Sequence, residues 1–339
     1  MATPIESKQP SPELFFQTMS AYQRTASLKA GIELDLFTKI GEGANTVAPL
    51  AQKCQASERG IRILSDYLVI AGFLTKEGNR YGLTLDSATF LDRRSPAYIG
   101  SATKFLADPA LTDHFKDLAA VVRRGGPAEG EGTLAPDNPI WVEFARAMGS
   151  LQSMPASVLA KFLGADSRAG WKVLDIAAGH GLFGVAIAKL DPGAQIFAVD
   201  WGNVLSVAQE NAKAAGVADR YRTIPGSAFD VDFGSGYNVA LITNFLHHFD
   251  PATNEKLLRK IHAALAPGGR AVTLEFVPND DRVSPPTAAS FSMMMLGSTA
   301  TGDAYTFSEL DRMHRNAGFS RSELHPLPPT ISQVVIGYK

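Results

Sequence analysis

The sequence predicts a doubly wound α/β sheet preceded by a small helical module, and three observations carry that expectation. From residue 171 onward, short apolar runs alternate with amphipathic segments, the grammar of strand–helix–strand units on a mostly parallel sheet. The string Gly179-His180-Gly181-Leu182-Phe183-Gly184 follows the first of those runs and opens a helical segment, the context in which a glycine loop binds a nucleotide. Residues 13–90 lack the alternation and read as short helices closed by one hairpin. A length of 339 residues suits two domains, expected as 1–100 and 101–339.

In the first of these, Leu28, Ile32, Leu36 and Ile40 recur every four residues and predict one helical stripe ending at Gly41. "TVAPLAQKC" and "SERGIRILSDYLVIAGFL" predict a helix-turn-helix pair, with Ser57 as N-cap of the second helix. "LTKEGNRYGLT" predicts a hairpin turning at Glu77-Gly78-Asn79. Together these give a winged-helix outline. Its basic and acidic residues nearly cancel, with 11 Lys and Arg against 10 Asp and Glu in residues 1–100, so no electrostatic footprint for DNA is present. Its second helix is also too apolar for a groove. The module reads as a packing or dimerisation unit, with a DNA-binding regulator as the competing class.

Residues 100–165 read as helical apart from the Gly/Pro-rich "RRGGPAEGEGTLAPDNP". Trp141, Phe144 and Met148 share one face of the helix that follows it. Then come "WKVLDIA", a helix from about 181, "AQIFAVD", a helix near 203–215, "RYRTIP" and "YNVALITNFL". A helix at 252–266 stops at Pro267-Gly268-Gly269, "RAVTLEFVP" is the next strand, and "TFSELDRMHRNAGF" is a helix before a closing hairpin of "SRSELHPL" and "ISQVVIGYK".

Composition narrows the class. Hydrophobic residues make up 45% and charged residues 19% of the chain, with a net charge of −2. That is globular, with no charge-driven affinity for nucleic acid or an anionic membrane. Cys54 is the sole cysteine, which rules out an intrachain disulfide and suits a reducing cytoplasm. The opening "MATPIESKQPSPELFF" holds three prolines and two acids where a leader needs an apolar run, and no apolar run approaches the length of a membrane span. The expectation is a cytoplasmic enzyme.

The glycine loop poses the question of which nucleotide it holds. Asp175 ends the first strand four residues before Gly179, and no Lys or Arg lies between Val173 and Lys189. A carboxylate at the mouth of the loop repels a pyrophosphate and attracts an ammonium group. S-adenosylmethionine (SAM) carries an ammonium, a sulfonium and a ribose, and it fits better than NAD. Asp200, at the end of the second strand, suits a ribose diol in either case.

"VLDIAAGHGLFG", "AVDW", "PGSAFD", "FLHHFD", "LAPGGRAVTLEFVP" and "YTFSELDRMHRNAGF" resemble, in that order, the motifs of SAM-dependent O-methyltransferases of the plant caffeate and bacterial polyketide-tailoring type. Residues 13–95 resemble the winged-helix dimerisation domain of the same family. The resemblance implies a Rossmann-like SAM-methyltransferase sheet, a homodimer formed through the N-terminal domain, and a small-molecule acceptor. It places the general base on His247 and the carboxylate orienting that base on Glu275. The cofactor-binding set it implies, together with the strand ends, is Asp175, Gly179, Gly181, Asp200, Trp201, Ser227, Ala228, Phe229 and Asn244. Phe249 is a further candidate for packing on adenine.

The chain departs from the family at four places. His248 stands where an acid often follows the base, Ser227-Ala228 where an acid contacts adenine, and Thr243 where a lysine reaches the cofactor. The second glutamate falls on Ala304, beside Asp303.

A phenol is largely protonated at pH 7, and an imidazole is suited to take its proton there. A carboxylate behind the ring fixes its tautomer. His247 with Glu275 supplies such a pair without a metal, and His248, pointing differently, reads as structural or as a support behind the residues that meet the ligand. A metal set of His247, His248, Asp250 and Glu275 is the alternative, disfavoured because adjacent histidines seldom converge on one ion. His180 reads as tuning the loop. Phe144, Met148, Phe291, Met294 and Met295 are candidate substrate walls, with the last three on a helix opposite the base. The acceptor atom stays open between oxygen, carbon and nitrogen, as do non-methylating uses of SAM.

Overall fold

A computed structural model describes residues 10–128, 138–167 and 170–339. The expectation for the leaderless start falls partly on residues 1–9, and that for the Gly/Pro-rich loop largely on residues 129–137, both outside the described residues. The chain forms two compact units, Met1–Thr103 and Lys104–Lys339.

In the first unit, helices Val47–Lys53 and Glu58–Ile70 precede an antiparallel hairpin, β1 (Leu74–Glu77) and β2 (Arg80–Leu83). The Ser57 hydroxyl accepts from the Gly60 amide at 3.0 Å, capping the second helix as its sequence predicts. The single stripe over residues 28–40 is corrected. The helix Ala21–Glu33 ends, Asp35 turns through a left-handed φ of 55°, and a new helix runs Leu36–Gly41. The bend buries both Leu36 and Phe37 beside Ile32, whereas a straight helix would bury only the i, i+4 side. Leu14, Phe15, Phe16, Met19 and Tyr22 remain exposed on the leading helices.

The second unit is built on a seven-stranded sheet. Its strands are β3 (Lys172–Ile176), β4 (Gln195–Asp200), β5 (Tyr221–Pro225), β6 (Tyr237–Thr243), β7 (Leu265–Glu275), β8 (Arg321–Pro326) and β9 (Gln333–Tyr338), in the order β5-β4-β3-β6-β7-β9-β8. β3 to β7 are parallel, and β9 pairs antiparallel with both β7 and β8. β3 alternates its side chains between two cores: Val173 faces the layer of helix Leu182–Leu190, and Leu174 and Ile176 face the layer of helix Pro251–Ala264. The doubly wound reading holds.

One boundary moves. β7 begins at Leu265, opposite Tyr237, and resumes regular pairing at Arg270 after a register shift. A Cβ on Gly269 would strike the Tyr237 carbonyl, so the glycine lets the strand close again. The chain order crosses from β5 back to β6 on the other side of β3, and open α/β sheets place their ligand crevice at such a switch.

Candidate active site

The loops leaving the carboxyl ends of β3, β4, β5 and β6 enclose a cavity of about 490 Å³. Gly179, Asp200, Trp201 and Asn244 line it, as do Ser227, Ala228 and Phe229. Gly179 has φ +56°, and a Cβ built there would only touch the Ala177 carbonyl and the Phe144 ring at 3.9 Å, so the glycine answers the left-handed backbone and presents bare backbone to the cavity. Asp200 holds the two strand ends together: Oδ2 accepts from the Gly179 amide and Oδ1 from the Trp201 amide, both within 2.8 Å. Burial pushes its carboxyl up to about 6 despite those amides, so it is ionised at neutral pH. The Lys260 ammonium donates to the carbonyls of Ala228 and Phe229 at 3.0 and 2.9 Å and fixes the loop after β5.

Two of the expected cofactor residues lie elsewhere. Asp175 does not reach the mouth of the loop. The alternation of β3 puts its side chain on the Val173 face, under helix Leu182–Leu190, where it is fully buried. Its Oδ2 accepts from the Gly184 amide at 3.2 Å and its Oδ1 has no partner. Burial pushes it up to about 8, so it brings no charge to the cavity at pH 7. Gly181 also stands back from the cavity. It has φ +72°, and a Cβ there would collide with the Tyr221 hydroxyl and Ala208, so it serves the close approach of helix to sheet.

The charge argument against a pyrophosphate survives on different residues. The charged side chains lining the cavity among the described residues are Asp200 and Asp230, and no Lys or Arg lines it. A glycine cradle, an acidic strand end and the aromatic faces of Trp201 and Phe229 fit an adenosine with a cationic tail, and fit a pyrophosphate poorly.

β6 and β7 run in parallel with Thr243 opposite Leu274, which brings the turn Leu246–His248 beside the last residue of β7. His247 Nδ1 lies 2.6 Å from Glu275 Oε2, and both side chains are buried. Glu275 Oε1 also accepts from the amides of Phe245 and His247, at 3.0 and 3.4 Å. A carboxylate only accepts, so the proton of the neutral ring sits on Nδ1 and the lone pair on Nε2. His247 lines the cavity.

Phe291 packs its ring edge-on against that imidazole at 4.9 Å. It is therefore against the base and not opposite it, while Met294 and Met295 continue the same wall and Phe144 and Met148 supply another.

His248 is corrected from a structural residue to a cavity residue, its ring 4.3 Å from that of His247. The position of the missing second carboxylate is also resolved. Asp303 pairs with Arg282 at 2.9 Å and caps the Ala304 amide, and Ala304 is buried. His180 Nδ1 accepts from the Leu182 amide, and burial pushes the ring down to about 4. Among the described residues, no group of three or more His, Cys, Asp or Glu is placed to hold a metal ion. The sequence reading missed Phe105, Leu106 and Leu111, which line the cavity from short helices with no periodic signal.

The chain matches the model of the O-methyltransferase domain over residues 116–320 and that of the O-methyltransferase dimerisation domain over residues 16–93. It belongs to the SAM-dependent O-methyltransferases. Among curated proteins it is similar to the tetracenomycin polyketide synthesis 8-O-methyl transferase of Streptomyces glaucescens, 28% identical over 91% of each chain. It is similar also to the 3-hydroxy-5-methyl-1-naphthoate 3-O-methyltransferase of Streptomyces sahachiroi, 27% identical over 97% of this chain and 95% of that one. Among solved structures, a candidate O-methyltransferase from Nostoc punctiforme is 54% identical, with a TM-score of 0.94 over 98% of this chain and all of that one. No helix among the described residues is long and apolar enough to cross a membrane.

Proposed function

We propose that this chain methylates a hydroxyl of a small aromatic or polyketide-like molecule, with His247 as general base. The observation that carries this reading is the buried His247–Glu275 pair at 2.6 Å on the rim of a cavity with apolar walls. SAM, when bound, supplies an electrophilic methyl group and leaves as S-adenosylhomocysteine. Gly179, Asp200, Trp201, Asn244 and the Ser227–Phe229 loop hold it. The cavity walls align the acceptor hydroxyl and keep out water, which is where proximity lowers the barrier. As the new carbon–oxygen bond forms, the hydroxyl proton passes to His247 Nε2, and Glu275 stabilises the imidazolium. By their names, the first curated relative above is an 8-O-methyl transferase of polyketide synthesis and the second methylates the 3-oxygen of a hydroxynaphthoate. A third, 27% identical over 86% of this chain, is an L-tyrosine C(3)-methyltransferase of Streptomyces lavendulae. Incubation with a panel of phenols and NMR of the product decides the point: a methyl on carbon or nitrogen refutes the hydroxyl as acceptor.

Calorimetry tests the cofactor residues. SAM is expected to bind while NADH does not. Asp200→Asn is expected to weaken SAM about 10- to 100-fold, the range of a hydrogen bond to a charged group. Unchanged affinity in that variant removes Asp200 from the site.

The same reading includes a homodimer built through the N-terminal unit, which carries the family's dimerisation domain. Leu14, Phe15, Phe16, Met19 and Tyr22 are all exposed there, large apolar side chains that an interface would cover. Light scattering is expected to give roughly twice the 36.2 kDa of one chain, and Phe15→Ser with Phe16→Ser is expected to raise the monomer fraction. A monomer at micromolar concentration contradicts this.

A further inference from the structure

The chemistry of the acceptor is legible in what lines the cavity besides His247. Its described charged side chains are Asp200, which ends β4, and Asp230, which follows β5, both at the cofactor end. Around the two histidines the wall is Phe291 against His247 and Trp141 against His248, with Met294 and Met295 on the helix of Phe291 and Phe144 edge-on to Trp141. Among the described residues, no lysine or arginine meets this end. An anionic substituent buried against it would lose its water and gain no cation.

Gln152 and Ser298 also line the cavity, the Ser298 hydroxyl donating to the Met294 carbonyl at 2.8 Å, and His248 is the polar side chain beside the base. Trp141 packs edge-on to its ring at 5.4 Å, and Phe245 at 6.3 Å. Its Nδ1 is buried without a partner, and Nε2 has none among the described residues. Burial and the neighbouring His247 hold its pKa well below the usual imidazole value, so the ring carries one proton. Buried N–H groups without partners are rarer than buried acceptors without partners. The proton therefore belongs on Nε2, and His248 offers the cavity one donor and no charge. It stands beside the base, with ring centroids 4.3 Å apart. Two rings that are immediate neighbours on one cavity wall meet groups that lie close together on one ring system and not at its opposite ends.

We propose that the acceptor is an uncharged aromatic bearing a second oxygen ortho or peri to the hydroxyl that is methylated, with the hydroxyl at His247 and the second oxygen accepting from His248 Nε2–H. This rests on the O-methylation reading above and narrows it to a substrate class.

The test is equilibrium binding to the enzyme loaded with S-adenosylhomocysteine. Three probes share one ring and one hydroxyl: 1-naphthol, 2-acetyl-1-naphthol and 1-hydroxy-2-naphthoate. The acetyl compound is expected to bind about 3- to 10-fold tighter than 1-naphthol, the worth of one neutral hydrogen bond. The carboxylate is expected to bind at least about 10-fold weaker than 1-naphthol. His248→Phe keeps the ring and removes the donor, so the affinity ratio of the acetyl compound to 1-naphthol is expected to fall to within about twofold of one.

A carboxylate that binds as tightly as the acetyl compound overturns the uncharged class. An acetyl advantage that is absent in the unaltered enzyme, or persists in His248→Phe, overturns the role of His248. Failure of all three to bind while S-adenosylhomocysteine binds overturns the proposal as a whole. Methylation at carbon instead of oxygen is a separate result, read by NMR, and refutes the reading beneath it.

Discussion

Replacing His247 by alanine is expected to lower turnover roughly 10²- to 10⁴-fold, the range for loss of a general base, while leaving SAM affinity nearly unchanged. The two effects separate because His247 reaches the cavity from the turn after β6, whereas Asp200 and the Ser227–Phe229 loop sit after β4 and β5. Glu275→Gln is expected to fall between the alanine variant and the parent. The amide oxygen of the introduced glutamine still accepts from Nδ1–H, but no negative charge remains to stabilise the imidazolium. The backbone bonds from Phe245 and His247 to the same side chain mean that Glu275→Ala would also loosen the turn, so the glutamine variant is the cleaner probe. Phenols of lower pKa should partly rescue His247→Ala because they arrive ionised and need no proton acceptor. Single-turnover rates across such a series check this: a steeper dependence on phenol pKa in the variant than in the parent is the signature. An unchanged rate in His247→Ala would mean catalysis by alignment alone.

The elements legible in the sequence are those set by periodicity and by strand-end chemistry. The apolar runs locate β3, β4, β6 and β7 because parallel strands buried on both faces leave no other place for Val, Ile and Leu. His247 and Glu275 are within reach of the same reasoning because each follows or ends such a run, and the parallel pairing of β6 with β7 makes the two ends neighbours.

The direction of single side chains is less legible. Asp175 reads from the sequence as a strand end like Asp200, yet β3 runs one residue further to Ile176 while β4 stops at Asp200, so one faces the helix layer and the other the crevice. Adjacent residues diverge on a strand or helix, which is why His248 reads from the sequence as turned away. The tight turn Leu246–His248 instead sends both rings to the same cavity. Phe105 and Leu111 enter from short helices whose placement is decided by packing against Phe144 and its neighbours, which no local pattern encodes.

The buried carboxyl of Asp175 gives the second large expected effect, on stability. Its unfolded-state value is about 3.8 and its folded value about 8, so between those limits the unfolded chain has released a proton that the native protein keeps. Stability then falls as pH rises, by at most about 1.4 kcal/mol per pH unit from this group, and the loss is complete above about pH 8. Below about pH 4 both states are protonated and the group costs nothing. Asp200, raised to about 6 by burial, adds a slope of the same sign over the lower part of the window. Asp175→Asn keeps an acceptor for the Gly184 amide, which the carboxylate now satisfies at 3.2 Å, and cannot ionise. Denaturant unfolding at pH 5, 6.5 and 8 is expected to show the variant losing less stability than the parent at each step, with its largest advantage at pH 8 and a residual slope from Asp200 below about pH 6. Catalysis should be little affected, since Asp175 does not line the cavity. Parallel pH curves for the two proteins would mean that Asp175 is already ionised in the native state, and a negative charge directly beneath the glycine loop would then have to be counted in the preference for a cationic cofactor.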